Sequence, residues 1–444
     1  MRKRIQYAVL FIRTLIRKHK KFITLGIILG FLAVIFIIKI YPYYASVYGK
    51  KNKKIGIVGS FNETTLPRSI QNQISLGLTT VTSGGEAKPS LAISWEVDDK
   101  VTTYTFHINT NNYWHDGKKF SIDDINYKLR GGQLVKVDEN TLKITLEQAY
   151  SPLPVLLSAP IIRSPLVGLG PYKVIKVIRS AGTITSITLA PIDKSSPTLI
   201  YKFYPRNSEA IMAFKLGEVD ILQDLTNISG IETWDNINIS KIIMYDRFVG
   251  IFFNLKDSLF KDKEIRQGLA YAIAELPNEE KALGPISPYS WAYSTNIKSY
   301  DFDKKSALSN LDSSAVSSPS TQLTLSTYAS NLSTAQKIVD TWNEMGINSK
   351  VKVENSPPSD YQMFLLVQSI PPDPDQYQYW QSTQESTNIS NYSSAKIDKL
   401  LEDGRKIIDQ NERKKIYADF QRYLVDDVPV IFLYYPKVYL VERK

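Results

Sequence analysis

Cysteine is absent from the chain. Its absence excludes disulfides, thiolate metal sites, a cysteine nucleophile and lipidation at cysteine, and leaves the compartment open. Histidine is scarce, with three in 444 residues. His107 and His115 lack metal-ligand spacing; the first reads as a strand-surface residue and the second as part of a turn. No G-x-S-x-G or H-E-x-x-H occurs. Gly56 and Gly59 lack the spacing of a phosphate-binding loop and read as close packing or a strand end. Acidic residues are missing from residues 1–54, which hold 13 Lys or Arg. The formal charge of +10 therefore belongs to the N-terminus, because the remainder has 41 basic and 44 acidic residues, a net of −3. Such a body carries no footprint for nucleic acid. What is plentiful is tyrosine, 27 in all. Tyrosine suits cores, and it also suits clefts where one end packs and the other makes hydrogen bonds.

The N-terminal charge precedes an apolar run. Residues 1–21 are basic, and Phe22 to Ile38 is 17 residues without a charge. A helix of that length covers about 25 Å, and snorkelling of Lys39 extends it to Tyr41. Residues 22–41 are therefore expected to be a single transmembrane anchor, with residues 1–21 in the cytoplasm, 42–54 as a tether and the body outside the cell membrane. A cleaved signal peptide is the competing reading, although no small-x-small site precedes Tyr41.

The body is organised around residues 104–129. Tyr104, Phe106 and Ile108 alternate with Thr105, His107 and Asn109, the period of a half-buried strand. Asp116-Gly117 reads as a tight turn. Ser121 and Asp124 have capping-box spacing, and Ile122, Ile125 and Leu129 can share one face of a following helix. Residues 134–147 read as a hairpin around Asp138-Glu139-Asn140, and 322–327, 333–345 and 349–354 read as a β-α-β unit. Val428 to Tyr435 reads as a final, central strand.

The run Trp114-His115-Asp116-Gly117-Lys118, with Phe120-Ser121 and Asp124-Ile125, resembles the signature of the extracellular solute-binding proteins of family 5, the oligopeptide- and dipeptide-binding proteins of ABC importers. Further pieces follow in the family's order. They include Lys88 to Val97, Gly168-Leu169-Gly170-Pro171-Tyr172, Gly217-Glu218-Val219-Asp220 and Asn254, with Asp262 to Ile273 around Arg266. Pro285 to Tyr293, Tyr300 to Ala307 and Pro371 to Tyr377 complete the series. The similarity covers about residues 55–440. The chain departs from the pattern by brevity after Leu129 and after Ile273.

The resemblance implies an α/β fold of the periplasmic-binding-protein-like type II class, with two α/β lobes, a hinge and a reduced third domain. On this chain the first lobe is expected at 55–75, 165–248 and 421–444, the small domain at 76–164 and the second lobe at 249–420. It implies a solute-binding protein, not an enzyme, with no cofactor and no metal. Its partners would be a peptide or similar small solute, ABC permease subunits and the membrane. An anchored receptor that kept the fold without transport is the alternative, and a hydrolase the remote one. Trp114, Asp116, Gly117, Asp124, Gly170, Tyr172, Asp220, Asn254 and Arg266 are expected to be structural, with Arg266 pairing Asp262 or bridging to the lobe surface. The ligand-binding candidates are Asp373, Asp375, Tyr377, Trp380, Trp291 and Tyr293. Family members commonly hold a peptide's amino terminus with an aspartate, whose position here falls at Ile370. Either Asp373 or Asp375 takes that role, or the ligand has no free amine there.

Overall fold

The computed structural model describes residues 52–444 apart from 194, 277, 313, 315, 317 and 319, together with 18–19, 26, 29–31 and 34–36. Two α/β layers and a smaller β domain make up the body. The first layer is a seven-stranded sheet in the order Ile237–Ile243, Lys437–Arg443, Ile221–Leu225, Lys53–Val58, Leu199–Tyr204, Thr183–Pro191 and Tyr172–Ser180. The second is a six-stranded sheet in the order Glu280–Lys281, Val430–Tyr435, Arg247–Phe253, Met363–Ser369, Leu323–Tyr328 and Ser349–Glu354. The small domain carries a four-stranded antiparallel sheet, Ala92–Val97, Thr103–Ile108, Thr141–Leu146 and Gly132–Lys136.

Local pattern dictates much of this. In Arg247–Phe253 every residue after Arg247 is buried, yet alternate side chains enter different cores. Val249, Ile251 and Phe253 pack on one face, and Phe248 and Phe252 on the other. A continuous apolar run is what a sheet covered on both faces requires. Leu323–Tyr328 and Ser349–Glu354 pair in parallel across the helix Leu332–Glu344, as the β-α-β reading expects. The hairpin around Asp138 to Asn140 forms, with Gly132–Lys136 antiparallel to Thr141–Leu146.

The two large sheets are joined where the chain passes from Ile243 to Arg247 and from Tyr435 to Lys437. Met244 N donates to Pro436 O at 2.8 Å, so the two crossings touch. The apolar stretch expected to form one final strand is thus followed by another. Val430–Tyr435 lies in the six-stranded sheet, next to its two-residue edge strand, and Lys437–Arg443 in the seven-stranded one. The expected start of the first lobe's last segment, residue 421, falls inside the helix Gln410–Asp427, before both strands.

Other expectations are corrected. Among the described residues no helix is long and apolar enough to cross a membrane. The single-pass anchor, and the membrane localisation built on it, are therefore withdrawn; the stretch 22–41 lies largely outside the described residues. The helix expected after Ser121 is a single 3-10 turn, Ile122–Asp124. Its capping box forms: Asp123 N donates to Ser121 Oγ at 3.2 Å, and Ser121 N to Asp124 Oδ2 at 3.0 Å. The chain then runs extended, because Ile125, Tyr127 and Leu129 also satisfy a period of two and all three pack on the small-domain core.

Arg266 does not pair with Asp262, which instead caps its own helix by accepting from Glu264 N. The guanidinium is buried and donates to Phe260 O (2.7 Å), Val428 O (3.0 Å) and Asp427 O (2.5 Å). It thereby satisfies carbonyls at the C-terminal end of the helix Gln410–Asp427, where a cation is favoured. The other motif residues make the following contacts. Trp114 Nε1 donates to Asp124 Oδ2 at 3.0 Å, Asp116 meets Arg163 at 3.0 Å, and Asn254 Nδ2 donates to Tyr361 O at 2.9 Å. Arg443 N donates to Asp220 O at 3.1 Å, and Tyr172 packs on the first-sheet core. Gly170 abuts the helix Arg68–Ile74, where a Cβ would lie 2.6 Å from Gln73 O.

Two stability outcomes follow. Gly117 sits at φ +87° with open space around it, so Gly117→Val should cost about 1–2 kcal/mol from backbone strain alone. Arg266→Met leaves several buried carbonyls without a donor and should cost at least about 2 kcal/mol. Urea titrations measure both, and an unchanged midpoint for either variant contradicts the role given to that residue.

Candidate functional site

A cavity of about 510 Å³ opens where three parts of the chain meet. One wall is the helix Arg68–Ile74 and the segment after it. Ile70 and Ile74 are buried, so Arg68 and Asn72, one turn apart on the other face, border the cavity. A second wall is the Pro- and Leu-rich stretch from Tyr150 to Ser158 of the small domain. The third is the Pro371-Pro372-Asp373-Pro374-Asp375 loop with Gln378 and Arg405.

That loop is built from proline and side-chain turns. Asp373 Oδ1 accepts from Asp375 N at 3.0 Å, and Asp375 Oδ1 from Tyr377 N at 3.2 Å, leading into the short helix Tyr377–Trp380. Two arginines hold it, Arg405 beside it on the cavity wall and Arg413 from behind. Arg413, on the helix Gln410–Asp427, grips Asp373 through Nη2 to Oδ1 (2.7 Å) and Nη1 to Oδ2 (3.1 Å), with both side chains under a tenth exposed. Arg405, near the end of the helix Ala395–Lys406, donates Nη2 to Asp375 Oδ2 at 2.7 Å and lies 3.7 Å over the Tyr377 ring. Burial by itself pulls the Arg413 guanidinium down, but the Asp373 carboxylate outweighs it, and Arg413 sits above its ordinary value. Both aspartates are therefore ion-paired within the protein.

The small domain closes onto this wall. Ser151 N donates to Arg405 O at 2.8 Å, and Ser151 Oγ to Gly404 O at 3.1 Å. The turn of the hairpin Thr79–Val81/Ala87–Pro89 also reaches across, its Gly84 O accepting from Trp291 N at 3.0 Å. Gly85 is at φ +88°, and a Cβ there would lie 2.1 Å from Pro372 O, so only glycine permits this approach.

Of the candidates chosen from sequence, Asp373 and Asp375 border the main cavity. Trp291 borders a neighbouring cavity of about 280 Å³ together with Asp373 and Arg413. Tyr377 lies beneath Arg405, and Tyr293 is half-buried and borders neither cavity. Trp380 is in the core, stacked on Phe252 with centroids 6.1 Å apart. Ile370 is buried in the same core, its N donating to Asp246 O at 2.6 Å. Sequence reading missed Arg68, Tyr150, Arg405 and Arg413. Nothing local marks these, since the arginines meet their aspartates across 30 and 40 residues. Among the described residues no group of His, Asp or Glu could hold a metal ion.

Known proteins share this fold. The profile of the bacterial extracellular solute-binding proteins, family 5, matches residues 86–389, more than half of the chain. The chain is 25% identical to the oligopeptide-binding protein AppA of Bacillus subtilis, over 86% of each chain. It is 23% identical to di/tripeptide-binding protein 1 of Pseudomonas aeruginosa, over 81% of this chain and 83% of that one. Among solved structures, NikZ of Campylobacter jejuni with Ni(L-His) superposes with a TM-score of 0.73 at 24% identity, over 89% of this chain and 94% of the other. The Bacillus subtilis AppA complex with a nonapeptide gives 0.68 at 22%, over 89% and 95%. At these identities the two structures establish the fold.

The Asp373–Arg413 pair makes a pH-dependent prediction. Arg413→Met leaves a buried carboxylate without its cation and should cost roughly 3–5 kcal/mol at neutral pH. Burial already holds the Asp373 carboxyl above its ordinary value in the parent, against the pull of Arg413, and loss of the guanidinium raises it further. The unfolded chain then loses its proton first, so stability falls as pH rises between the two values. Urea midpoints of the variant should therefore improve from about pH 8 to about pH 5 relative to the parent. A constant difference between variant and parent across that range contradicts the assignment.

Proposed function

The chain belongs to the bacterial extracellular solute-binding proteins of family 5, and from that premise we propose that its cleft captures a short peptide outside the cytoplasmic membrane and delivers it to the permease of an ABC importer. The observation that carries this reading is the 510 Å³ cavity walled by the first-sheet side, the small domain and the second-sheet side together. That volume lies within the ~300–1,000 Å³ usual for small-molecule sites. The relatives named as oligopeptide- and di/tripeptide-binding proteins support the solute class. We place the first lobe at about 55–75, 165–243 and 437–444, the small domain at 76–164 and the second lobe at 247–435, with the crossings at 244–246 and 436 as the hinge on which the cleft closes.

The proposed chemistry is recognition alone. The two acidic side chains on the cavity wall are each engaged by an arginine. Permease subunits are the proposed protein partners.

Three measurements test the reading. Calorimetric titration of the full-length chain with a random tripeptide library should give saturable binding, and denaturing the protein as purified from its own cells should release peptides detectable by mass spectrometry. A folded chain that binds no peptide and releases none overturns the solute assignment. Deleting the gene should lower uptake of labelled peptide, and unchanged uptake overturns the delivery step.

A further inference from the structure

The charged side chains on the main cavity wall are Arg68, Asp373, Asp375 and Arg405. What each carboxylate already holds decides what is left for a ligand. Asp375 Oδ1 accepts from Tyr377 N and Arg405 Nε, and its Oδ2 from Arg405 Nη2 and Nε. Asp373 Oδ1 accepts from Asp375 N and Arg413 Nη2, and its Oδ2 from Arg413 Nη1. Both negative charges are neutralised in place, by guanidinium groups whose planar forks are matched to them. A ligand ammonium entering the cleft would lose water and meet no uncompensated carboxylate, which is an unfavourable exchange.

Arg68 is in the opposite condition. It stands on the cavity face of the helix Arg68–Ile74, with Asn72 one turn on. Among the described residues it has no carboxylate partner, and the one ionisable group acting on it is the Tyr127 phenol. Two guanidinium groups and two carboxylates border the cavity, and a third guanidinium, Arg413, lies behind Asp373. Counting Arg413, these groups carry one net positive charge, and the cation among them without a carboxylate partner is Arg68. The hydroxyl-bearing Thr80 and Ser90 and the Asn72 amide border the same space and can complete the hydrogen bonding of an anion.

Resting on the peptide reading above, we infer that the cleft recognises its ligand by a carboxylate held at Arg68 and has no site for a charged amino end. The solute class is thus a carboxylate-terminated peptide whose amino group is free, acylated or closed into a ring without consequence for affinity. A guanidinium presents parallel donors that fit the two oxygens of a carboxylate, which a lysine ammonium cannot reproduce.

The test uses the full-length chain and three versions of one random tripeptide library: free, N-acetylated with a free carboxylate, and free-amine with a C-terminal amide. Calorimetric titration should give the free and N-acetylated acids dissociation constants within about threefold of each other. The amides should bind at least about tenfold more weakly, the scale of a lost charge-assisted hydrogen-bonded pair. Arg68→Ala should bring the acids down to the affinity of the amides, and Arg68→Lys should recover part of the loss. Arg68 is exposed, so the ligand-free melting temperature of both variants should match the parent. Amides that bind the parent as tightly as acids, or acetylation that abolishes binding, overturn the inference while leaving the peptide reading intact. Preference for acids that persists in Arg68→Ala overturns the assignment of Arg68. Absence of binding by all three libraries to the folded parent overturns the peptide reading, and this inference with it.

Discussion

The buried ion pair between Asp373 and Arg413 is the constraint on which the cleft depends. Two charges removed from water are tolerated only when each satisfies the other and the remaining donors find partners. Here they do: Arg413 also donates to Gly404 O at 3.0 Å and reaches the Tyr417 hydroxyl at 3.3 Å. The pair therefore fastens three things at once, namely the proline-rich loop, the end of the helix Ala395–Lys406 and the start of the helix Gln410–Asp427. Because Arg405 lies on the first of those helices and grips Asp375, the second pair inherits its position from the first. A cleft wall that must meet a ligand has little apolar packing on its open side, and ionic fastening from behind supplies the rigidity instead.

The same arrangement explains why the fold was more legible than the site. The β-α-β unit, the hairpin at 132–146 and the Tyr104-Phe106-Ile108 alternation are local, and each announces its period within a few residues. The ordered motifs carried the architecture. Where two periods fit one stretch, reading failed: Ile122, Ile125 and Leu129 suit a helix, and Ile125, Tyr127 and Leu129 suit an extended chain. The extended form prevails because it lets the Tyr127 hydroxyl reach the carbonyls of Leu157 and Ala159, at 2.9 and 2.6 Å, one of which its proton can serve. Tertiary partners of this sort are invisible to local pattern. So were the partners of the two aspartates, and an acidic residue beside proline looks the same in sequence whether it awaits a ligand or already holds an arginine. Aromatic residues misled for a related reason. Trp380 neighbours the loop in sequence, but helical spacing turns it onto Phe252 and away from the cleft.

The contacts between the small domain and the second-sheet side are of another kind. They include the two hydrogen bonds of Ser151, the Trp291–Gly84 bond, the exposed Gln410–Glu86 bond of 3.1 Å and Arg405 at 5.2 Å over the Tyr150 ring, with the bare backbone of Gly85 against Pro372. At about 1 kcal/mol net for each, the hydrogen bonds of this interface contribute only a few kcal/mol. That is the scale on which a bound solute can tip an equilibrium between open and closed forms, since a ligand shifts a population only by its differential affinity. A tighter interface would hold the cleft shut without a ligand, and a looser one would leave the walls too far apart to touch a solute together. Gly85 fits that requirement: lacking a side chain, it lets backbone meet backbone without adding apolar area. The strong, buried ion pairs thus stay within one wall, and the weak contacts lie between walls, where the proposed capture and release have to be reversible.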